Sequence, residues 1–155
     1  MLQSAPLLLV ALGTLLGLLV GSFLNVVIYR LPVMMERAWR RESEAILAPA
    51  GAPAPDPGPA EPFDLVRPRS SCPACKTPIK PWHNVPVLGW LWLRGRCAAC
   101  STPISARYPV VEALTGLVSG FLVWEFGFTP DTLAALGLTW ALIALTMIDL
   151  DHQLL

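Results

Sequence analysis

Residues 6–29 read PLLLVALGTLLGLLVGSFLNVVIY, with no charged side chain among them or in the five residues before. At 1.5 Å of helical rise per residue the stretch is about 36 Å long, enough to cross a hydrocarbon core of about 30 Å. It predicts a membrane-spanning helix. A cleavable signal peptide fits less well, because the start Met-Leu-Gln-Ser-Ala-Pro lacks a basic residue and the apolar core exceeds the roughly 7–15 residues such signals carry. Within the span Gly13, Gly17 and Gly21 recur every four residues, and Asn25 extends the stripe. One face therefore admits a second helix closely and offers it a polar side chain.

Two further apolar stretches lie toward the other end. Residues 110–128 carry Glu112 and Glu125 near their ends with Ala113 to Trp124 uncharged between them, and Thr132 to Ile148 is uncharged for 17 residues, near the lower limit for a crossing helix. The turn Thr129-Pro130-Asp131 joins them as a hairpin. Composition agrees: 54% of the 155 residues are hydrophobic and 14% charged, against about a quarter charged in soluble chains, which excludes an ordinary soluble domain. The formal net charge of zero hides an asymmetry, since all 11 Lys and Arg lie between Arg30 and Arg107. Arg30, Arg37, Arg40 and Arg41 crowd the exit of the first span, and Arg94, Arg96 and Arg107 precede the second. The positive-inside rule then places the middle segment in the cytoplasm and the amino terminus outside, in the periplasm. The third helix brings Asp149, Asp151 and His152 back to the cytoplasmic side.

The expected fold is an all-α polytopic membrane protein of three transmembrane helices with a small cytoplasmic zinc-ribbon-like loop domain. Its parts are a first span over 1–29, a loop over 30–107, and the second and third spans over 108–155. Within the loop, Glu36 to Glu44 is charged and suits a short helix. A Pro/Ala-rich linker over 48–68 follows, whose prolines remove backbone donors and favour unpacked chain, and then a cysteine module over 70–107.

Cys72-Pro-Ala-Cys75 and Cys97-Ala-Ala-Cys100 are two C-x-x-C pairs separated by 21 residues, close to zinc-ribbon spacing. Aligned at a 25-residue offset, CPACKTPI and CAACSTPI agree at six of eight positions, so the arms are two versions of one knuckle. Four thiolates complete the closed tetrahedral shell of a structural Zn²⁺, which predicts a folding role. Paired disulfides are disfavoured by a reducing cytoplasm, and two matched pairs exceed what redox chemistry requires. Zinc is favoured over iron. Trp82, Trp90, Leu91 and Trp92 between the pairs are expected to pack on the ribbon or lie at the membrane interface, and His83 to be a surface residue.

Asp149 and Asp151 end the third apolar run. A carboxylate at a helix C-terminus opposes the partial negative charge there and loses hydration near hydrocarbon, which suggests use. The alternative, that these acids mark where the helix meets water, carries equal weight from position alone. A metal site from Asp149, Asp151 and His152 is a third reading, which nothing else in the chain completes.

Taken together, GSFLNVVIYRLP (21–32), the two C-x-x-C arms, NVPVLGW (84–90), LRGRC (93–97), ISARYPVVE (104–112) and IDLDHQLL (148–155) resemble the bacterial type IV prepilin peptidases of the peptidase A24 type. The resemblance covers nearly the whole chain apart from the linker. It implies a multi-pass aspartic protease of the bacterial inner membrane, with membrane lipid around it. Such enzymes remove the leader from type IV prepilins or type II secretion pseudopilins and then methylate the new amino terminus with S-adenosyl-L-methionine. No nucleic-acid partner is expected. The family's first catalytic aspartate falls on Asp149, with Asp151 its neighbour. The second belongs to a G-x-G-D motif that is absent from this chain, so the sequence reads as the N-terminal part of a longer enzyme or a truncated product. Gly95 falls where the family associates a glycine with methyl transfer, although no G-x-G-x-x-G nucleotide fingerprint is present and Gly95 could equally shape the turn entering the second knuckle. The competing reading is a non-catalytic membrane-anchored zinc-ribbon adaptor.

Overall fold

The structure, a computed structural model, describes residues 7–48 and 63–152. Its helices are α1 (Leu7–Leu47), α2 (Leu88–Trp92), α3 (Arg107–Phe126) and α4 (Pro130–His152), with a short 3-10 turn over Pro81–Asn84. Among the described residues there is no strand; two isolated bridges in the cysteine loop are the extended pairing there. α1, α3 and α4 are each long and apolar enough to cross a membrane. The protein is therefore all-α, with three candidate spans and a small cysteine-bearing loop.

α1 is 41 residues long, about 60 Å at 1.5 Å per residue and twice what a hydrocarbon core needs. The helix does not stop at the end of the first apolar run. It continues through Pro32, and the charged stretch Glu36 to Glu44, expected as a separate short helix, is its continuation. Pro32 withholds a donor from the Ile28 carbonyl, and the helix nonetheless runs on through both buried residues. Good helix formers follow, with a Glu36–Arg40 pair at 3.3 Å one turn apart. Of the expected linker, residues 49–62 lie outside the described residues, as do 1–6 and 153–155. The part from Phe63 to Pro68 is docked on α1 rather than free. Arg30, buried at the end of the apolar run, donates to the carbonyls of Asp64 at 2.8 Å and Pro68 at 2.6 Å, and the Arg37 guanidinium lies 4.4 Å from the Phe63 ring centroid.

The glycine stripe is the seam between α1 and antiparallel α3. A Cβ on Gly13 would meet Val123, one on Gly17 would lie 2.7 Å from the Thr115 carbonyl oxygen, and one on Gly21 would lie 2.8 Å from the Glu112 Cα. α3 answers with its own small residues, Gly116 against Leu18 and Gly120 against Thr14. Asn25 finishes the stripe by donating to the Tyr108 carbonyl at 3.1 Å. The seam's hydroxyls are satisfied within it: Thr115 Oγ1 donates to Val111 O and Ser119 Oγ to Thr115 O, each at 2.7 Å. Apolar surroundings demand this, because an unpaired polar group there is costly.

α3 ends at Gly127, whose φ of +67° suits a glycine, with its N–H bonded to the Val123 carbonyl. Thr129 then caps α4 by accepting from the Thr132 N–H at 3.2 Å, with Pro130 as the first helical residue. The hairpin expected at Thr129-Pro130-Asp131 is thus present. α4 packs back through Ala144 and Ile148, which join Leu24, Ile28 and Val111 in one buried cluster. Trp140 Nε1 donates to Ser119 Oγ at 3.0 Å, tying α4 to the seam.

Candidate functional site

The internal repeat seen in the sequence is repeated bond for bond. In the first knuckle Cys72 N–H donates to Thr77 O, Lys76 N–H to Cys72 O and Ile79 N–H to Ser70 O; in the second Cys97 N–H donates to Thr102 O, Ser101 N–H to Cys97 O and Ile104 N–H to Gly95 O. Each knuckle turns through a left-handed residue, Lys76 and Ser101, both at φ 58°. Each closes with a bridge, Ser71 to Pro78 and Arg96 to Pro103.

The turns aim four thiols at one point. The sulfurs of Cys72, Cys75, Cys97 and Cys100 all lie within 4.8 Å of one another, with Cys72 to Cys100 at 3.7 Å and Cys75 to Cys97 at 4.0 Å. A tetrahedron of sulfurs at the usual Zn–S distance of about 2.3 Å has edges of about 3.8 Å, so the site fits a four-thiolate metal ion. A disulfide, at about 2.05 Å, does not describe these separations. The environment favours thiolates. The Thr77 hydroxyl and N–H lower the Cys75 pKa, the N–H groups of Cys100 and Ala99 lower that of Cys97, and the Thr102 hydroxyl and N–H lower that of Cys100. At Cys72 the N–H groups of Cys75 and Ala74 pull the same way, but burial and the neighbouring thiols outweigh them and raise it. His83 stands outside this cluster.

Between the knuckles, Trp90 stitches the module together by donating to the Ile104 carbonyl at 3.1 Å. Gly95 lies at φ +67°, and a Cβ there would meet the Trp90 indole at 2.7 Å. Its Cα is therefore covered by the ring it packs on, and Gly95 lies in the turn that enters the second knuckle. Of the other interior aromatic residues, Trp82 and Trp92 are exposed.

Two contacts that sequence reasoning missed attach this module to the membrane helices. Glu112, buried in α3, accepts the Val87 N–H at the start of α2 at 2.7 Å. Arg107, the first residue of α3, reaches α4: Nη1 lies 2.6 Å from both carboxylate oxygens of Asp151, and Nη2 donates to the Met147 carbonyl at 3.0 Å. The available signal was an acid inside an apolar run and an arginine at its boundary, both costly unless used. Asp149 sits between those two anchor points in the last turn of α4 and is half-buried. The start of α3, the end of α4 and the cysteine module thus share one end of the bundle. His152 ends α4 and is exposed. Among the described residues the four cysteines are the group with metal-holding geometry, and Asp149, Asp151 and His152 are not such a group.

The chain is similar over almost its full length to proteins named prepilin leader peptidase/N-methyltransferase. It is 51% identical over 154 residues to that of Stutzerimonas stutzeri, covering 99% of this chain and 52% of the relative. It is 50% identical over 154 residues to that of Pseudomonas aeruginosa, covering 99% and 51%, and 50% identical over 146 residues to that of Neisseria gonorrhoeae, covering 94% and 50%. The chain thus spans about half the length of the curated relatives it matches. No solved structure matches it. Residues 15–126, from within α1 to the last residue of α3, match the bacterial peptidase A24 N-terminal domain, and the chain belongs to that family.

Proposed function

We propose that this chain is part of an aspartic endopeptidase of the bacterial inner membrane, one that removes the leader peptides of type IV prepilins or type II secretion pseudopilins and then N-methylates the new amino terminus. The observation that carries the reading is the near end-to-end similarity to relatives bearing both activities in their name. It extends past the family domain and across Asp149.

Asp149 is the residue we assign to the cleavage chemistry. Peptide hydrolysis by carboxylates needs two of them sharing one proton, so that one takes a proton from water while the other polarises the scissile carbonyl; like charges held close push their pKa values apart and make this division possible. Asp149 supplies one. The second is to be sought outside these 155 residues, which contain no G-x-G-D. The four cysteines hold a structural Zn²⁺, which stabilises the loop and, with its shell closed, leaves no position for substrate. Basic residues beside the spans put the cysteine module and Asp149 on the cytoplasmic face, and the amino terminus in the periplasm. S-adenosyl-L-methionine is the methyl donor implied by the relatives' name. Gly95 is the residue that the family resemblance ties to methyl transfer, and it also packs on the Trp90 ring.

The test is prepilin cleavage by the complete enzyme carrying Asp149→Asn. Loss of cleavage with normal membrane accumulation is expected; retained cleavage overturns the assignment of Asp149.

A further inference from the structure

The last turn of α4 holds two carboxylates, Asp149 and Asp151, where the carbonyl ends of the helix already place partial negative charge. That arrangement needs a cation. Arg107 supplies one, from a different helix and 44 positions away in sequence. Its guanidinium takes both oxygens of Asp151 and the Met147 carbonyl together. Its own main chain is held as well, with the Arg107 N–H donating to Ser105 Oγ at 3.2 Å, five residues after the last zinc-site cysteine.

We propose that Arg107 and Asp151 form a positioning pair, which fixes the last turn of α4 and so sets where Asp149 presents its carboxylate. This rests on the assignment of Asp149 to catalysis. At about 100° of rotation per residue, Met147 and Asp151 fall on nearly the same side of α4, and Asp149 falls roughly opposite. Arg107 therefore grips the side of the turn that lies roughly opposite Asp149. The two aspartates have different roles: Asp151 holds the guanidinium, and Asp149 is the residue assigned to the cleavage chemistry. The pair is about one-third exposed on each side, 34% and 36%, and a pair so wetted adds little to global stability. What it supplies is geometry, because a guanidinium gripping three acceptors cannot shift without losing several bonds at once. Reacting groups misplaced by about 1 Å can cost on the order of a hundredfold in rate.

The experiment uses the complete enzyme and a prepilin substrate, with Arg107→Gln, Asp151→Asn and the double variant. Each single change is expected to lower kcat by about tenfold or more while KM stays within about twofold, since substrate contacts are untouched. The double variant is expected to be no slower than the slower single, because the grip is broken only once. Zinc content and unfolding temperature should stay close to wild type. Single variants with unchanged kcat, or a double variant showing the product of the two losses, overturn the proposal. If Arg107→Gln fails to accumulate, Arg107→Lys carries the test: it keeps the charge but loses the fork, so a lowered kcat supports the pair and an unchanged one refutes it. Asp149→Asn, run in parallel, separates the two claims. Full activity in that variant removes the catalytic assignment itself, whereas its inactivity beside fully active Arg107 and Asp151 variants removes only the positioning pair.

Discussion

Glu112, in the second turn of α3, accepts the backbone N–H of Val87 at 2.7 Å. Val87 is a β-branched residue at φ +60°, a conformation that its side chain disfavours and that something must hold. The bond does so, and it fastens the loop between the cysteine knuckles to a helix that crosses the membrane. Glu112→Ala should destabilise the protein by about 1–3 kcal/mol, by leaving the Val87 N–H unpaired beside a cavity, and Glu112→Gln, which can still accept, by less. Thermal unfolding in detergent, with limited proteolysis of the loop, reads the difference.

Gly17 faces both side chain and backbone across the α1–α3 seam, its nearest neighbours being the Ser119 side chain and, at 2.7 Å from a Cβ placed there, the Thr115 carbonyl oxygen. A backbone atom cannot rotate away, so Gly17→Val has to push the helices apart. The expected cost is about 1–3 kcal/mol or more. Gly137→Val, at a helical glycine with open space around it, is the control and should cost less. Denaturant titration of both variants in micelles measures the contrast, and equal losses would show that the seam does not depend on close approach.

These two residues also show what could be read in advance. The glycine stripe was legible because helical periodicity alone sets which residues share a face, and the knuckles because the same eight-residue pattern occurs twice. The continuity of α1 was not. Pro32 and the change from apolar to charged residues both look like an end, because a proline in a helix interior removes a backbone bond, and yet the helix runs on to Leu47. Arg30, Arg107 and Glu112 stood out as charges at or inside apolar runs, but their partners are 25 to 44 positions away, and no local rule pairs residues at that distance. For the same reason the docked segment from Phe63 to Pro68 looked like the end of a linker.

That segment should respond to pH. The Asp64 carboxylate accepts the N–H groups of Val66 and Arg67, each at 2.6 Å, and the N–H of Arg67 and then that of Val66 hold its pKa below the usual carboxylate value. A folded-state pKa that is depressed contributes order above the unfolded value, and that order is lost as pH falls through the folded value. Amide exchange at Val66 and Arg67 should therefore rise, relative to intrinsic rates, as acid protonates Asp64. Asp64→Ala should show fast exchange at every pH, and protection retained in that variant would assign the turn to Arg30 alone.

Metal removal should act on the loop and spare the bundle. Each knuckle contributes two thiols, and the separations of 3.7 Å and 4.0 Å run between the knuckles, so losing one cysteine opens a shell that the others cannot close. The protein is expected to carry one zinc per chain, and Cys72→Ser and Cys97→Ser should each lower that content severalfold, since binding and folding of such sites are one process. Trp90 is the reporter. Its indole N–H is held by the Ile104 carbonyl, next to the second knuckle, so chelation should red-shift its emission. The helical circular dichroism of α1, α3 and α4 should change little, because their contacts run through the glycine seam and the Leu24–Ile28–Val111–Ala144–Ile148 cluster, which contains no cysteine. Zinc content unchanged by both substitutions would remove the metal from the site, and collapse of the helical signal on chelation would mean that the bundle leans on the loop.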